Sequence, residues 1–414
     1  MSNIDSVAVI GLGYIGLPTA AILAEHGTRV HGVDVNQKTV DAINAGTVPF
    51  VEPDLGEYVE RNVKAGNLTA STDTPAADAY IVAVPTPFRE DKSADLSYIE
   101  AAGRAIAPQL TGDELVILES TSPPGATERL AEVIFEARPD LREGGGLMFA
   151  HCPERVLPGK VMTELVTNDR IIGGSSPAAA ERAKALYERF CKAELLLTDT
   201  RTAEMSKLVE NSFRDVNIAF ANELSMICQE LDIDVWELIE LANHHPRVNI
   251  LQPGPGVGGH CIAVDPWFIV AAAPETSKII RNAREINDSK PEWVIRQVKA
   301  EAYDVAKDSG RTPVIAAMGL AFKPNIDDLR ESPALNIALR LSDEFADSRI
   351  LAVEPHVNEL PARLSQANNI EFSEASAAIE QADIIVLLVD HDVFAGLKPQ
   401  VQGKKVVDTR GQWR

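Results

Sequence analysis

Gly11-Leu12-Gly13-Tyr14-Ile15-Gly16 separates an apolar run at residues 6–10 from a helical spacing over residues 17–26. Each glycine in this pattern answers a different backbone demand. Gly11 permits a tight turn out of a strand, Gly13 lets a pyrophosphate approach the backbone, and Gly16 lets the helix pack on the strand. The helix start then offers unpaired N–H groups and the positive end of its dipole to phosphates. A second strand-like run, residues 29–34, ends in Asp34, where a carboxylate would bind ribose hydroxyls and repel a 2′-phosphate. Strand, turn, helix, strand and acid together predict a Rossmann unit that takes NAD rather than NADP. The alternative is a glycine turn inside another α/β fold.

The pattern continues beyond this unit. Strand-like runs recur at residues 79–84, at 115–118 and around 147–150, alternating with helical segments, which predicts βαβ units and a parallel sheet over residues 1–200. Residues 201–305 change to long helical periodicity. Thr202 to Leu231 is almost free of Gly and Pro, and its apolar residues Met205, Leu208, Val209, Phe213, Val216, Phe220 and Leu224 recur at three- and four-residue steps. A helix of about 45 Å suits a connector between domains or a pairing surface for a second subunit. Strand-like runs return at 313–320, 349–353, 383–389 and 405–408. The expected fold class is therefore α/β: two Rossmann-like, doubly wound domains (residues 1–200 and 306–414) joined by a long-helix central domain (201–305).

Composition narrows the partners. Lys plus Arg number 39 and Asp plus Glu 61, a formal net charge of −22. Such a chain repels nucleic-acid phosphates and anionic membrane surfaces, so neither nucleic acid nor membrane is an expected partner. No apolar run approaches the roughly 20 residues that span a bilayer. The N-terminus lacks a basic region preceding an apolar one, and the four cysteines show neither CxxC pairing nor metal-like His spacing. They read as reduced thiols of a cytoplasmic protein, with no metal site expected.

Several residues could carry chemistry. Cys261 lies in Gly254-Pro255-Gly256-Val257-Gly258-Gly259-His260-Cys261, a glycine-rich approach that would let a ligand reach a thiol. The alternative is a small buried cysteine beside a flexible loop. Lys207 and Asn211 share one helical face and could donate to an oxygen that gains negative charge, although an ordinary helix would place Lys207 in solvent. Glu154 and Arg155 follow an apolar strand; a general base and an anion contact, or a surface ion pair, both suit them. Cys152 is the rival thiol. Thr86 and Thr121 follow strands and could meet a cofactor or serve as plain turn residues. Arg214, His245, Arg247, Lys323 and Arg330 are dispersed cations that could hold a diphosphate in an otherwise acidic chain.

Taken in order, GLGYIGLP, VPTP, ESTSPPG, CPERVLPG, EMSKLVENSFRDVNIAFANE, HHPRVNILQPGPGVGGHCIAVDPWFIV and GLAFKPNIDDLRESP resemble the nucleotide-sugar 6-dehydrogenases, the family of UDP-glucose dehydrogenase. The HCIAVDP form is similar to the branch that acts on UDP-N-acetylhexosamines. The resemblance covers nearly the whole chain. It implies oxidation of a sugar C6 alcohol to a carboxylate with two NAD⁺ and one water. It further implies Cys261 as nucleophile, Lys207 with Asn211 as acid/base or oxyanion donors, Glu154 as the residue assisting water, and Asp265 in proton handling. Cofactor contacts are implied for Gly11, Gly13, Tyr14, Ile15, Gly16, Asp34, Thr86, Thr121 and Arg330. Nucleotide-sugar contacts are implied for Arg155, Val156, Lys207, Asn211, Arg214, His245, Arg247, Gly258, Phe322, Lys323 and Arg410. A homodimer paired through the middle helices is implied as well. Glucose-specific relatives carry an acid where this chain has Pro158 and a lysine where it has Val264, and both departures point to an N-acetylated sugar.

Overall fold

A computed structural model describes residues 4–157, 159–259 and 261–414; Pro158 and His260 lie outside the described residues. The chain divides into two compact units, one ending at Glu210 and one running from Asn211 to Arg414.

The first unit is built on an eight-stranded sheet. Its strands are β1 (Ser6–Ile10), β2 (Arg29–Val33), β3 (Leu68–Ser71), β4 (Ala79–Val82), β5 (Leu115–Leu118), β6 (Met148–His151), β7 (Arg170–Gly174) and β8 (Leu195–Asp199), in the order β3-β2-β1-β4-β5-β6-β7-β8. Alternation of side chains explains why these strands read as continuous apolar runs. Val7, Val9, Ile81, Leu115 and Ile117 pack into one core, and Ala8, Ile10, Tyr80, Val82, Val116 and Leu118 into the other. Helices cover both faces, so neither set can be polar.

One pairing departs from the all-parallel expectation: β7 runs antiparallel to β6, with His151 opposite Gly173. The reversal starts β7 beyond the carboxyl end of β6, beside the loop that follows His151. Strands β3, β7 and β8 are absent from the sequence expectation: β3 and β8 are edge strands with exposed positions, and β7, though buried, opens on Arg170 and ends in two glycines that break the apolar signal.

Two long helices, Thr200–Glu230 and Lys278–Ser309, dominate the stretch between the sheets. The first realises the expected helix, but its apolar residues divide. Leu208 is buried, whereas Val209, Phe213 and Phe220 are exposed, and polar Asp215 and Asn222 are buried instead. Within the second unit the buried polar residues pair across the two helices: Arg284 Nη1 donates to Asp215 (2.5 Å) and Asn222 Nδ2 to Asn287 Oδ1 (2.8 Å).

The second unit also holds a parallel five-stranded sheet: β9 (Ile315–Met318), β10 (Ile350–Val353), β11 (Ile370–Phe372), β12 (Ile384–Leu387) and β13 (Lys405–Asp408), ordered β11-β10-β9-β12-β13. This repeats the 3-2-1-4-5 order of the first sheet's leading strands. Ile315, Ala317, Ile350 and Val386 pack on one face; Ala316, Met318, Leu351 and Leu387 pack on the other. No described helix is long and apolar enough to cross a membrane.

Candidate active-site residues

At the carboxyl end of β1 the three glycines meet different surroundings. Gly11 has φ +94°, and a Cβ there would sit 2.6 Å from the Ala83 carbonyl oxygen; at Gly16 it would sit 1.9 Å from the Gly11 carbonyl oxygen. A Cβ on Gly13 would have no neighbour within 4 Å among the described residues. Turn and helix packing therefore need Gly11 and Gly16, while Gly13 leaves an open approach to the backbone. The helix Gly16–Glu25 carries no side-chain cap among the described residues. Leu17 N donates to the Gly13 carbonyl (3.1 Å), Thr19 N to the Ile15 carbonyl (3.2 Å) and Pro18 has no N–H, so amides for a phosphate are left to the glycine turn and the very start of the helix.

Asp34, just past β2, is fastened to this turn: its Oδ2 accepts from Leu12 N (3.0 Å) and its Oδ1 from Asn36 N (2.8 Å). Tyr14, beside Ile15, stacks on Phe50 at 4.3 Å between centroids and donates through its hydroxyl to the Val51 carbonyl (3.1 Å). Thr86 follows β4, and its buried Oγ1 has no hydrogen-bond partner among the described residues. Thr121, half-buried, follows β5. The open approach at Gly13, the orphaned Thr86 hydroxyl and the half-buried acid fit NAD at this edge of the sheet.

A buried charge cluster lies at the carboxyl edge of β5 and β6. Glu154 Oε2 accepts from Arg170 Nη2 (2.8 Å), and its Oε1 accepts from the Arg155 N–H (2.6 Å). Because β7 is antiparallel, its first residue, Arg170, comes alongside the loop carrying Glu154. Arg170 also lies 3.8 Å from Glu119, which accepts from Thr19 Oγ1 (3.1 Å) and the Tyr187 hydroxyl (3.2 Å). Two buried carboxylates share one guanidinium. Burial, and then the nearby Glu154 charge, push Glu119 up to about 8.

A proton held by the folded chain and released by the unfolded one makes stability fall as pH rises between 4.5 and about 8. Glu119→Gln keeps the shape without that proton. The stability of this variant relative to wild type is expected to climb from pH 5 to pH 8, by at most about 1.4 kcal/mol per pH unit. Thermal melts across that range check it, and a difference independent of pH would contradict it.

Burial also separates the two candidate thiols. Cys152 is fully buried and pushed up to about 12, and the adjacent His151 is pushed down to about 3, so both stay neutral. Cys191 and Cys228 are buried as well, and Cys261 is exposed. Arg155 does not pair with Glu154 through its guanidinium; that group meets Glu210 at 2.8 Å, and half-buried Val156 packs against the core.

The helix Thr200–Glu230 presents half-buried Lys207 and, one turn later, buried Asn211. Glu204, one turn before Lys207, caps the helix Ala126–Ala137, accepting from Gly125 N (2.6 Å), Thr127 N (2.7 Å) and Thr127 Oγ1 (2.6 Å). The cap ties the turn after Thr121 to the helix that carries Lys207. Its only sequence signal is the glutamate in EMSK, which a reader takes for a surface charge.

In the second unit Asn211 Nδ2 donates to Asp265 Oδ2 at 2.6 Å. Asp265 is 3% exposed, opens the helix Asp265–Ala272, and donates its N–H to the Cys261 carbonyl (2.9 Å). Asn211, Asp265 and the Cys261 backbone thus form one connected group. The glycine approach is equally constrained: a Cβ on Gly258 would lie 2.4 Å from the Glu331 carbonyl oxygen, and one on Gly259 would lie 3.5 Å from the Phe322 ring. Arg410 donates to Asp390 (2.7 Å), and its Nη1 would be 2.5 Å from a Cβ on Gly254. Arg330 belongs to this unit, exposed and paired with Asp328. Arg214, His245, Arg247 and Lys323 are exposed.

Comparison with known proteins follows the same division. The UDP-glucose/GDP-mannose dehydrogenase family is matched by its NAD binding domain over residues 5–191, its central domain over 201–289 and its UDP binding domain over 316–414. The chain is 56% identical to an NDP-N-acetyl-D-galactosaminuronic acid dehydrogenase of Ralstonia nicotianae, covering 99% of this chain and 96% of that one. It is 54% identical to the UDP-N-acetyl-D-mannosamine dehydrogenase of Escherichia coli K12, covering 99% of each. A solved UDP-N-acetyl-mannosamine dehydrogenase from Staphylococcus aureus superposes with a TM-score of 0.84 at 42% identity, over 98% of this chain and 95% of that one. The glycine turn, the acid after β2 and full-length similarity converge: the chain belongs to the UDP-glucose/GDP-mannose dehydrogenase family and is an NAD-dependent nucleotide-sugar dehydrogenase.

Proposed function

We propose that the chain oxidises UDP-N-acetyl-D-mannosamine at C6 to the uronate, a four-electron reaction consuming one water. The observation that carries this reading is the exposed Cys261, whose carbonyl accepts from the N–H of Asp265 in the buried Asn211–Asp265 pair, in a chain with an NAD cradle. NAD supplies the hydride acceptor for each two-electron step. Cys261 Sγ bonds C6 at the aldehyde level, so the aldehyde is not released, and holds it as a thioester after the second oxidation. Lys207 and Asn211 donate to the C6 oxygen as it gains charge, and Lys207 also favours the thiolate. Glu154 orients the water that cleaves the thioester, returning the thiol and leaving the carboxylate. Asp265 fixes the Asn211 amide and takes part in proton transfer.

The proposed nucleotide-sugar contacts are Arg155, Val156, Arg214, His245, Arg247, Gly258, Phe322, Lys323 and Arg410. Arg330 is proposed to reach the cofactor. Val264, in place of a lysine, favours the N-acetylated sugar over glucose. UDP-N-acetylgalactosamine is the second reading, favoured by the 56% identity to the Ralstonia relative. The product suits polysaccharide biosynthesis. The reduced thiols fit a cytoplasmic enzyme, and the division at residues 200 and 305 is its proposed domain plan. The exposed stripe Val209, Phe213, Phe220 and Ile227 on one helix supports a homodimer.

NADH formation across UDP-N-acetylmannosamine, UDP-N-acetylgalactosamine, UDP-N-acetylglucosamine and UDP-glucose tests the substrate. The first is expected to give a kcat/KM at least about 10-fold above UDP-glucose, the scale set by one missing polar partner. Equal or better turnover of UDP-glucose refutes the reading.

A further inference from the structure

The two sheets share a turn that only one of them leaves open. After β1, Gly11 N donates to the Val33 carbonyl (2.8 Å), and Leu12 N donates to Asp34, the acid after β2. After β9, Gly319 N donates to the Val353 carbonyl (2.8 Å), and Leu320 N donates to Glu354, the acid after β10 (2.8 Å). Gly319 even repeats the positive φ of Gly11, at +87°. Asp34 is half-buried and keeps room for a ribose. Glu354 is 2% exposed, and its Oε2 also accepts from Ala321 N (3.0 Å) and His391 Nε2 (3.1 Å). His391 therefore stands where the first lobe keeps its acid accessible.

We infer that Glu354 and His391 form a clamp that positions the Phe322–Lys323 turn, and through it the approach to Cys261, for the UDP-sugar. This rests on the reading of Phe322 and Lys323 as nucleotide-sugar contacts. The pair holds the turn from both sides. Glu354 takes the N–H groups of Leu320 and Ala321, and His391 Nδ1 takes that of Asn325 (3.0 Å), whose side chain in turn accepts from Asp392 N (3.0 Å). The pair pins three amides within six residues, Phe322 N is held by the Asp328 carbonyl (3.1 Å), and Phe322, Lys323 and Pro324 make up the turn between them. The Phe322 ring lies against Gly259, two residues before Cys261, so a displaced turn displaces the thiol loop.

The donors also define what the pair is not. Asn325 N–H needs the Nδ1 lone pair, so Nε2 carries the proton and donates to Glu354. A metal shared by Glu354, His356 and His391, whose ligand atoms lie within 4.8 Å of one another, would need that Nε2 lone pair free.

Three full-length variants test the clamp. Glu354→Gln places an amide among four donors, the N–H groups of Leu320, Ala321 and His356 and His391 Nε2, and breaks the clamp. His391→Asn keeps an acceptor for Asn325 but loses the donor to Glu354, and His391→Gln keeps the donor but loses the acceptor. The readouts are KM for the nucleotide sugar, KM for NAD, affinity for UDP by calorimetry, and the thermal melt. The expected result is a rise of about 10-fold or more in nucleotide-sugar KM and UDP Kd for Glu354→Gln, smaller rises for the two His391 variants, and an unchanged KM for NAD. Folded variants with unchanged UDP affinity, parallel losses for sugar and NAD, or failure of all three to fold would each overturn the clamp. Wild type that binds UDP but oxidises no UDP-N-acetylhexosamine would refute the substrate reading alone, and UDP affinity would still judge the clamp.

Discussion

Cys261→Ser is expected to lower uronate formation by roughly 10³-fold or more while leaving NAD affinity within about twofold of wild type. A serine hydroxyl at the same place is almost wholly protonated at neutral pH and attacks an aldehyde or holds an acyl group far less well than a thiolate. The loss is expected to fall on the chemistry, because Cys261 is not among the residues of the glycine turn and Asp34 that are read as cradling NAD. The substitution also leaves Asp265 N on the residue 261 carbonyl, since that hydrogen bond is made by backbone. Uronate measured by chromatography, beside NAD titration calorimetry, checks both halves. Undiminished uronate production would remove the thiol from the reaction.

The second large effect separates two glycines three residues apart. Gly13→Ala adds a Cβ that meets nothing within 4 Å among the described residues, so the folded chain should melt as wild type does; its NAD Kd should rise about 30-fold, or roughly 2 kcal/mol. Gly16→Ala forces a Cβ to 1.9 Å from the Gly11 carbonyl oxygen, which only backbone movement can relieve. This variant should lose about 3 kcal/mol of stability as well as NAD binding. Melting curves without cofactor distinguish the two cases. An equal melting loss in both would mean that Gly13 serves the fold and not the ligand.

The glycine turn was readable in the sequence because each glycine answers a local backbone demand, and the fold repeats those demands without change. The core strands were readable for a similar reason. β4, β5, β9 and β12 are covered on both faces, so every position is apolar. β3, β8 and β11 escaped because edge strands need no such run, and β7 escaped because it opens on a charged Arg170 and ends in two glycines.

Pairings between distant residues escaped for a different reason. Nothing near Glu154 announces Arg170, which reaches it only because β7 reverses direction. Nothing near Lys323 announces Glu354 or His391, which hold its turn from other strand ends. The long helix misled in one respect: its apolar periodicity is real, but buried Asp215 and Asn222 take interior positions through Arg284 and Asn287. Phe213 and Phe220 are left outward, as a surface for a second copy would require.

The central claim is that one chain carries a sugar from alcohol to acid without releasing the aldehyde. Counting NADH against a limiting amount of UDP-N-acetylmannosamine tests this most directly. Two NADH per sugar consumed, with uronate as the product and no aldehyde trapped by an added hydrazine, is the result the account predicts. One NADH per sugar, with free aldehyde, would contradict it.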